Sequence, residues 1–190
     1  MGQQSPDPAS FSLVDALQDD PFYLAISVDY EKEPRIRRLR LAEYFSYSLD
    51  ESRIFGRCVQ LEDRRVGAAA WLLPGDEVRQ RASRRKLAFL ERELGPVGQR
   101  NYKAIVSWMA ERSAPLVSNA WYLPIIGLAP HAQGQGLGGH LLRPTLAEAD
   151  REGVDCYLET FSARSVRFYE RFGFRSVGSF SNPLQTRNIP

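Results

Sequence analysis

A glycine-dense loop between an apolar segment and an amphipathic helix constrains this chain more than any other feature. Residues 126–142 read Ile-Gly-Leu-Ala-Pro-His-Ala-Gln-Gly-Gln-Gly-Leu-Gly-Gly-His-Leu-Leu, which predicts a strand, a tight turn and the start of a helix. The four glycines at positions 134, 136, 138 and 139 leave main-chain N–H groups without shielding side chains. The helix start adds unpaired N–H groups and the positive end of its dipole. We therefore expect an anion-binding site there, of the kind that holds phosphate.

The composition indicates a single globular domain. Of the 190 residues, 43% are hydrophobic and 25% are charged, as in ordinary soluble domains. We expect residues 1–9, which contain two prolines, to be a disordered N-terminus and residues 10–190 to form the domain. The net charge of +2 gives no general attraction to nucleic acid or to anionic membranes. Because no apolar run approaches a membrane span and no signal peptide is present, we expect a cytoplasmic monomer or homodimer without a membrane partner.

Two local features favour a structural role over a functional one. The basic run Arg79–Lys86 predicts a solvated helix face rather than a nucleic-acid site, because no recognition motif accompanies it. Cys58 and Cys156 have apolar or β-branched neighbours, which predicts small buried hydrophobic side chains rather than catalytic thiols. We therefore expect no nucleic-acid partner and no metal site.

The hydrophobic periodicity predicts a mixed α/β fold. Helices are expected at 10–18, capped by Ser10, and at 33–49, 77–94, 101–111, 136–151 and 163–171. Strands are expected at 54–61, 66–73, 121–128, 155–160 and 174–180. Gly153 is placed to cap the helix that follows the glycine loop. The second half of the chain therefore alternates strand and helix and ends on a strand.

The glycine loop has two other interpretations. Gly134-x-Gly136-x-x-Gly139 fits the dinucleotide-binding pattern. Glu159 lies 20 residues further on, where a ribose-binding acid belongs. However, the preceding strand ends near Leu128, too far from the first glycine for the immediate turn that this pattern requires. A purely structural turn is also disfavoured, because four glycines in six positions exceed what such a turn needs.

A second block of sequence favours a third interpretation. Gln133-x-x-Gly136-x-Gly138 is followed by Tyr157-Leu-Glu-Thr160 and by Ser165-Val-Arg-Phe-Tyr-Glu-Arg-Phe-Gly-Phe174. In order and spacing these blocks resemble the [Gln/Arg]-x-x-Gly-x-[Gly/Ala] loop and the Asn-x-x-Phe-Tyr-x-x-x-Gly-Phe ending of the GNAT superfamily of N-acetyltransferases. The resemblance covers residues 120–178 and is closest to the small-molecule acetyltransferases.

This resemblance implies an α/β fold with a central, mostly antiparallel mixed sheet that splays at the acetyl-CoA strand, and with helices on both faces. It implies acetyl-CoA as co-substrate, with the diphosphate on main-chain amides of the loop and the thioester carbonyl at the amide near Leu128. The residues that the resemblance implies for binding acetyl-CoA are Leu128, Ala129, Gln133, Gly134, Gln135, Gly136, Leu137, Gly138, Gly139, Ser165 and Tyr169. Ser165 stands where the family often has asparagine, which leaves its contact with CoA open.

The resemblance also implies catalytic roles for two residues. Tyr169 occupies the position of the general acid that protonates the leaving thiolate, although its ring could instead serve packing. Glu159 is the candidate general base for the acceptor amine, although it could instead order a loop. His131 is a second candidate base, and a solvent-exposed position is its simpler interpretation. Direct transfer from thioester to amine requires no covalent enzyme intermediate.

The acceptor pocket is expected, by fold analogy, from aromatic residues of the first half. These residues are Phe22, Tyr23, Tyr44, Phe45, Tyr47, Trp71 and Trp108. They suit a small-molecule amine with an apolar body. The alternative is a non-catalytic acyl-CoA-binding sensor or regulatory subunit with the same fold.

Overall fold

The computed structural model describes the backbone of residues 6–181 and the side chains of these residues except 76–83. The helices within this range are α1 (Pro8–Leu17), α2 (Pro21–Ile26), α3 (Pro34–Phe55), α4 (Asp76–Glu93), α5 (Pro96–Ser113), α6 (Leu137–Glu152) and α7 (Ala163–Glu170). The strands are β1 (Gly56–Gln60), β2 (Gly67–Leu72), β3 (Trp121–Leu128) and β4 (Cys156–Tyr157). Short 3-10 turns cover Val28–Tyr30 and Pro130–Ala132.

The strands form one mixed sheet in the order β1-β2-β3-β4. The β1–β2 and β2–β3 pairs are antiparallel and the β3–β4 pair is parallel, which confirms the expected mostly antiparallel mixed sheet. The β2–β3 register shifts between Ala70 and Leu72, where Leu123 and Pro124 of β3 lie opposite one residue of β2. This bulge changes which residues of β3 face each side of the sheet.

Helices cover both faces of the sheet, as expected. On one face α1, α2, α3 and α4 bury a core that includes Ala68, Ala70 and Ile125. On the other face α6 and α7 pack over a core that includes Trp71 and Trp121. Successive residues of β2 alternate between the two cores, with Ala68 and Ala70 in the first and Ala69 and Trp71 in the second, as the two-residue period of a strand requires. The sheet is therefore buried on both sides, and its strand ends and edges are the places left for a site.

β3 and β4 diverge after two residue pairs. Their ladder joins Trp121 to Cys156 and Tyr122 to Tyr157 and ends there. Pro124 has no N–H to donate and lies in the bulge immediately beyond. From that point to Leu128, β2 is the only strand that pairs with β3 in the described part of the chain. This is the splay that the resemblance implies.

The helices differ from the predictions at several places: α2 was not predicted, and α5 begins at Pro96 rather than at residue 101. α1 begins at Pro8 and is capped by Asp7, whose carboxylate accepts the N–H of Ala9. The predicted cap Ser10 is instead a fully buried residue inside the helix, because Asp-Pro supplies both a cap and the preferred first helical residue. Of the segment expected to be disordered, residues 1–5 lie outside the described residues and residues 8–9 are helical.

α3 also continues six residues beyond its predicted end, through the predicted start of β1, and stops at Gly56. The apolar residues Ile54 and Phe55 predicted the start of a strand. The helix instead continues through them, because no helix-breaking residue occurs before Gly56.

The predicted last strand, 174–180, is wrong. The structure has no regular element over residues 174–181. Its apolar residues Phe174, Val177 and Phe180 recur at every third position, whereas a half-buried strand needs alternation. Val177 and Phe180 are 68% and 50% exposed. β4 is also shorter than the predicted 155–160, because its ladder partner β3 turns away at the bulge.

Candidate functional site

The glycine loop forms a tight left-handed turn into α6. Gly134 and Gly136 have φ angles of 76° and 77°, a conformation that side chains disfavour. A Cβ atom added at either position would meet no atom within 4 Å. The two glycines therefore hold the turn and leave the space outside it open.

The main-chain N–H groups of this turn have no protein acceptors. Gly139 N–H bonds to the Gly136 carbonyl at 3.0 Å, and α6 has no side-chain cap. Across the described residues, none of the five N–H groups from Gly134 to Gly138 donates a hydrogen bond. Five free donors at the positive end of a helix make a site for an anion such as a diphosphate.

Two glutamine side chains brace the loop rather than point out of it. The Gln133 side chain donates to the Leu128 carbonyl at 2.9 Å, and the Gln135 side chain donates to the His131 carbonyl at 2.8 Å. These bonds tie the loop to the end of β3 and to the 3-10 turn that follows it. Both glutamines and His131 are exposed, as expected for the histidine.

Gly138 and Gly139 serve a different purpose from Gly134 and Gly136. A Cβ atom on Gly138 would lie 2.8 Å from the Phe168 ring, and one on Gly139 would lie 3.3 Å from the Phe172 ring. These glycines allow α7 to pack closely against α6. All four glycines were expected to leave main-chain N–H groups unshielded, but a side chain at position 138 would instead point at α7.

The end of β3 presents a further free donor toward the splay. Ala129 N–H bonds to the Val66 carbonyl at 2.8 Å and continues the register that places Leu128 opposite Gly67. Because N–H groups alternate in direction along a strand, the Leu128 N–H points away from β2, to the side from which β4 diverges. This is the donor that the resemblance assigns to the thioester carbonyl.

Tyr169 lies on α7 in a ring cluster on the α6 side of the sheet. Its ring contacts Phe168 and Phe174 edge-on, with centroids 5.1 and 5.9 Å apart. Burial, and to a lesser degree the charge of Asp20, raise the pKa of Tyr169 to about 12. The phenol therefore keeps its proton at neutral pH and is a donor.

Glu159 follows β4 and is turned inward. Burial raises the pKa of its carboxyl group above the ordinary value, and the hydroxyls of Tyr122 and Ser113 partly offset this by lowering it. Its Oε2 atom is buried and has no hydrogen-bond partner among the described residues. A buried carboxylate oxygen without a partner is unusual in a purely structural residue.

Glu159 and Tyr169 line the same cleft. This cleft has a volume of about 900 Å³ and lies between α5, the segment after β4, α7 and residues 174–181. Ser162 and Ala163 also line it, whereas Ser165 and the glycine loop do not. Ser165 is half-buried in the first turn of α7, and its side chain has no hydrogen bond within the described range, so the structure does not bring it to the loop.

Most of the aromatic residues expected in an acceptor pocket are core residues. Tyr23, Tyr44, Phe45 and Trp71 are 0–6% exposed, and the half-buried Phe22 and Tyr47 pack against the same core or against Phe89. Only Trp108 of the seven lines the cleft. Aromatic composition alone could not separate core from pocket.

The basic run Arg79–Lys86 is not one solvated face. Side chains 79–83 lie outside the described residues, and Arg84 and Arg85 are exposed. Lys86 is only 8% exposed and bonds to Glu51 at 2.9 Å. The expectation of solvation was wrong for Lys86, because a buried acid on α3 provides its partner.

The sequence prediction missed one carboxylate whose charge contributes to the pKa of Tyr169. Asp20 caps α2 by accepting the Phe22 N–H at 2.9 Å, and its charge acts on both Tyr23 and Tyr169. Burial raises the pKa of Asp20, and its hydrogen bond from Phe22 partly opposes the change. The signal in the sequence is the Asp20-Pro21 pair, since an aspartate before a proline is typical of a helix start.

The two cysteines were predicted to be buried, and the structure places both at half-buried positions. Both are free, and burial raises the pKa of the Cys58 thiol and raises that of Cys156 to about 11. In the described ranges, no His, Cys, Asp and Glu side chains cluster in a way that could hold a metal ion. Nor does any helix there have the length and apolarity to cross a membrane.

The sequence model of the Acetyltransferase (GNAT) family matches residues 14–174. The match begins within α1 and includes the splayed strand, the glycine loop and α7, which carries Tyr169. It ends at Phe174, four residues after α7. The loop of free amides, the splay of β3 from β4 and the match over most of the chain agree with one another. The protein therefore belongs to the GNAT acetyltransferase family.

Proposed function

We propose that this protein transfers the acetyl group of acetyl-CoA directly to the nitrogen of a small amine. The observation that carries the proposal is the row of five free N–H groups from Gly134 to Gly138 at the N-terminus of α6. A diphosphate is a doubly charged acceptor of the right kind for such a row. The residues fit the group, because the space outside Gly134 and Gly136 is open.

The splay supports the position of the reactive end of acetyl-CoA. The Leu128 N–H points into the gap between β3 and β4 and is available to the thioester carbonyl. A fixed main-chain donor at this point would stabilise the negative charge that develops on oxygen during attack, an effect of about 3 kcal/mol for one donor in other enzymes. The neighbouring Ala129 N–H is already bonded to Val66, so Leu128 is the donor we propose.

Two side chains supply the proton transfers. An alkylammonium must lose a proton before its nitrogen can attack, and we propose that Glu159 takes this proton directly or through water. Attack forms the N–C bond, and collapse of the adduct breaks the C–S bond. Tyr169 gives its proton to the leaving sulfur and recovers one from the acylated nitrogen. The products are the N-acetyl amine, CoA as free thiol and one proton, which passes from Glu159 to solvent.

We propose an amine with an apolar body as the acceptor. The cleft that Glu159 and Tyr169 share has aromatic walls, among them Trp108, Phe161 and Phe174. Apolar surface of this kind favours a hydrophobic portion of the ligand next to the reacting nitrogen. We further propose a cytoplasmic location and a monomeric or homodimeric state.

Calorimetry and a free-thiol assay test this function together. We expect CoA to bind to the purified protein, and acetyl-CoA to release thiol only when a primary amine is added from a panel that includes 2-phenylethylamine, hexylamine and aniline. CoA binding without amine-dependent thiol release would favour the alternative, a non-catalytic acyl-CoA sensor or regulatory subunit. Absence of CoA binding would contradict both functions.

A further inference from the structure

Arg112 lies on the α5 wall of the cleft that Glu159 and Tyr169 share. Arg112 and Trp108 both line this cleft, and the guanidinium carbon of Arg112 lies 4.5 Å from the centre of the Trp108 ring. The Arg112 Nη1 group also donates to the Trp108 carbonyl at 3.1 Å. The ring and this bond hold the guanidinium in one orientation, so a ligand that binds to it costs less side-chain entropy.

The charge of Arg112 has no close counter-ion. Its ion pair is with Glu111 at 3.9 Å, and the Glu111 side chain is 70% exposed, so the pair contributes little. Within the part of the chain that the structure describes, Arg112 forms no ion pair with the acidic residues that line the cleft. Apart from Nη1, the N–H donors of its guanidinium have no acceptor among the described residues. These donors are available to an anion from outside the protein.

Its position in the cleft distinguishes Arg112 from other arginines. Arg92 has similar local contacts, since its guanidinium carbon lies 5.9 Å from the centre of the Phe89 ring and its Nε atom lies 3.6 Å from the adjacent Glu93 carboxylate. However, Arg92 does not line the cleft. Arg175 lines the cleft but is exposed, and no ring or carboxylate among the described residues holds its side chain. Of these three arginines, only Arg112 both lines the cleft and is held in place.

The cleft also contains a buried carboxyl group that Arg112 does not neutralise. The Oε2 atom of Glu159 is buried without a hydrogen-bond partner among the described residues. Ser113, the next residue of α5, lines the cleft as well, and its hydroxyl is one of the two groups that lower the pKa of Glu159. The Arg112 guanidinium instead turns back to Trp108, one helical turn earlier. A basic and an acidic side chain therefore line one cleft with aromatic walls at separate positions.

We propose that Arg112 binds a carboxylate of the acceptor, so that the acceptor is an amino carboxylic acid whose apolar body separates the two groups. This inference rests on the proposed acetyl transfer and adds a substrate class to it. A carboxylate can accept two N–H bonds from one edge of a guanidinium. Its single charge matches the single cation held on this wall, whereas a phosphate monoester carries about two negative charges at neutral pH. The amino group of such a ligand remains available to Glu159 and Tyr169.

The test compares 4-(aminomethyl)benzoate with 4-(aminomethyl)benzamide, which has nearly the same shape and the same basic amine but no negative charge. We expect the wild-type protein to have the lower KM for the benzoate. Arg112→Met, which keeps an unbranched side chain beside Trp108, should raise this KM about 10- to 100-fold, with little change in the KM for the benzamide or for acetyl-CoA. Arg112→Lys should show a smaller rise, because lysine keeps the charge but loses the paired geometry.

Arg92→Met is the matched control, because it removes an arginine stacked on a ring at the end of a helix outside the cleft. It should behave as wild type towards both amines. An equal rise in KM for the benzoate and the benzamide in Arg112→Met would contradict carboxylate binding, since the loss of packing against Trp108 would then explain the effect.

Calorimetry with CoA-saturated protein gives a reading that does not depend on turnover. We expect wild type and Arg92→Met to bind the benzoate more tightly than the benzamide, and Arg112→Met to lose this preference. The same preference in Arg112→Met, or none in wild type, would overturn the assignment of Arg112. If the wild-type protein releases no thiol with any amine, the proposed acetyl transfer fails, and the calorimetric comparison still decides whether Arg112 binds a carboxylate.

Discussion

Burial sets the protonation of the two residues to which we assign proton transfer. Tyr169 lies among aromatic rings, and its pKa of about 12 keeps the phenol protonated at any pH at which the protein is assayed. Burial also raises the pKa of Glu159, and two hydroxyls partly oppose the change, so its carboxylate is a better proton acceptor than that of an exposed glutamate. The phenol of Tyr169 is therefore the proton donor and the carboxylate of Glu159 is the proton acceptor. Burial raises the pKa of both groups, which keeps the proton on Tyr169 and strengthens Glu159 as a base.

Tyr169→Phe should reduce kcat by about 100-fold or more, the usual contribution of a general acid, with little change in the KM for acetyl-CoA. The ring contacts with Phe168 and Phe174 do not need the hydroxyl, so we expect the thermal midpoint to stay near that of wild type. Steady-state kinetics by thiol release and a thermal melt provide the two measurements.

Tyr47→Phe is the control for removing a tyrosine hydroxyl elsewhere. Tyr47 is also half-buried, and it stacks on Phe89 at 4.4 Å, outside the cleft. It should keep wild-type kcat. If Tyr169→Phe were as active as Tyr47→Phe, the hydroxyl of Tyr169 would have no part in the reaction.

The glycine loop shows how far elements can be predicted from this sequence. The strand Trp121–Leu128 agrees with its prediction, as does the Gly153 cap of α6, because strong periodicity and glycine chemistry act locally. The roles of Gly138 and Gly139 could not be predicted, because the rings that they contact come from another helix. The same limit applies to β4, whose length depends on a bulge in β3.

Gly136→Asp should abolish measurable CoA binding while the protein remains folded. The position faces open space, so the new carboxylate would lie where we place the diphosphate and repel it. Calorimetry with CoA measures the loss.

Gly153→Asp at the other end of α6 is a matched control. Gly153 also has a left-handed conformation, with φ of 65°, and it also faces open space, so the backbone strain is comparable while the charge is remote. Equal CoA affinities for the two variants would contradict the placement of the diphosphate.

At the scale of the whole molecule, a buried ion pair joins the helices on the face of the sheet opposite α6 and α7. Lys86 of α4 bonds to Glu51 of α3 at 2.9 Å and to the Ser48 hydroxyl at 3.2 Å. Its ammonium also lies 5.2 Å from the centre of the Tyr44 ring. Burial lowers the pKa of Lys86, but Tyr44, Glu51 and Tyr102 raise it by more, so the Lys86 ammonium keeps its charge in the folded protein.

Lys86→Met should therefore lower the free energy of unfolding by about 3–5 kcal/mol, because it leaves the Glu51 carboxylate buried without a cation. Urea denaturation at neutral pH measures the loss. Lys86→Met combined with Glu51→Leu should regain most of the stability, since no charge is then left unpaired. Arg65→Met, which removes only an exposed ion pair with Asp63, should change the urea concentration at the unfolding midpoint little. If Lys86→Met were no more harmful than Arg65→Met, α3 and α4 would be held together by apolar contacts alone, and the buried pair would add nothing to the stability of the fold.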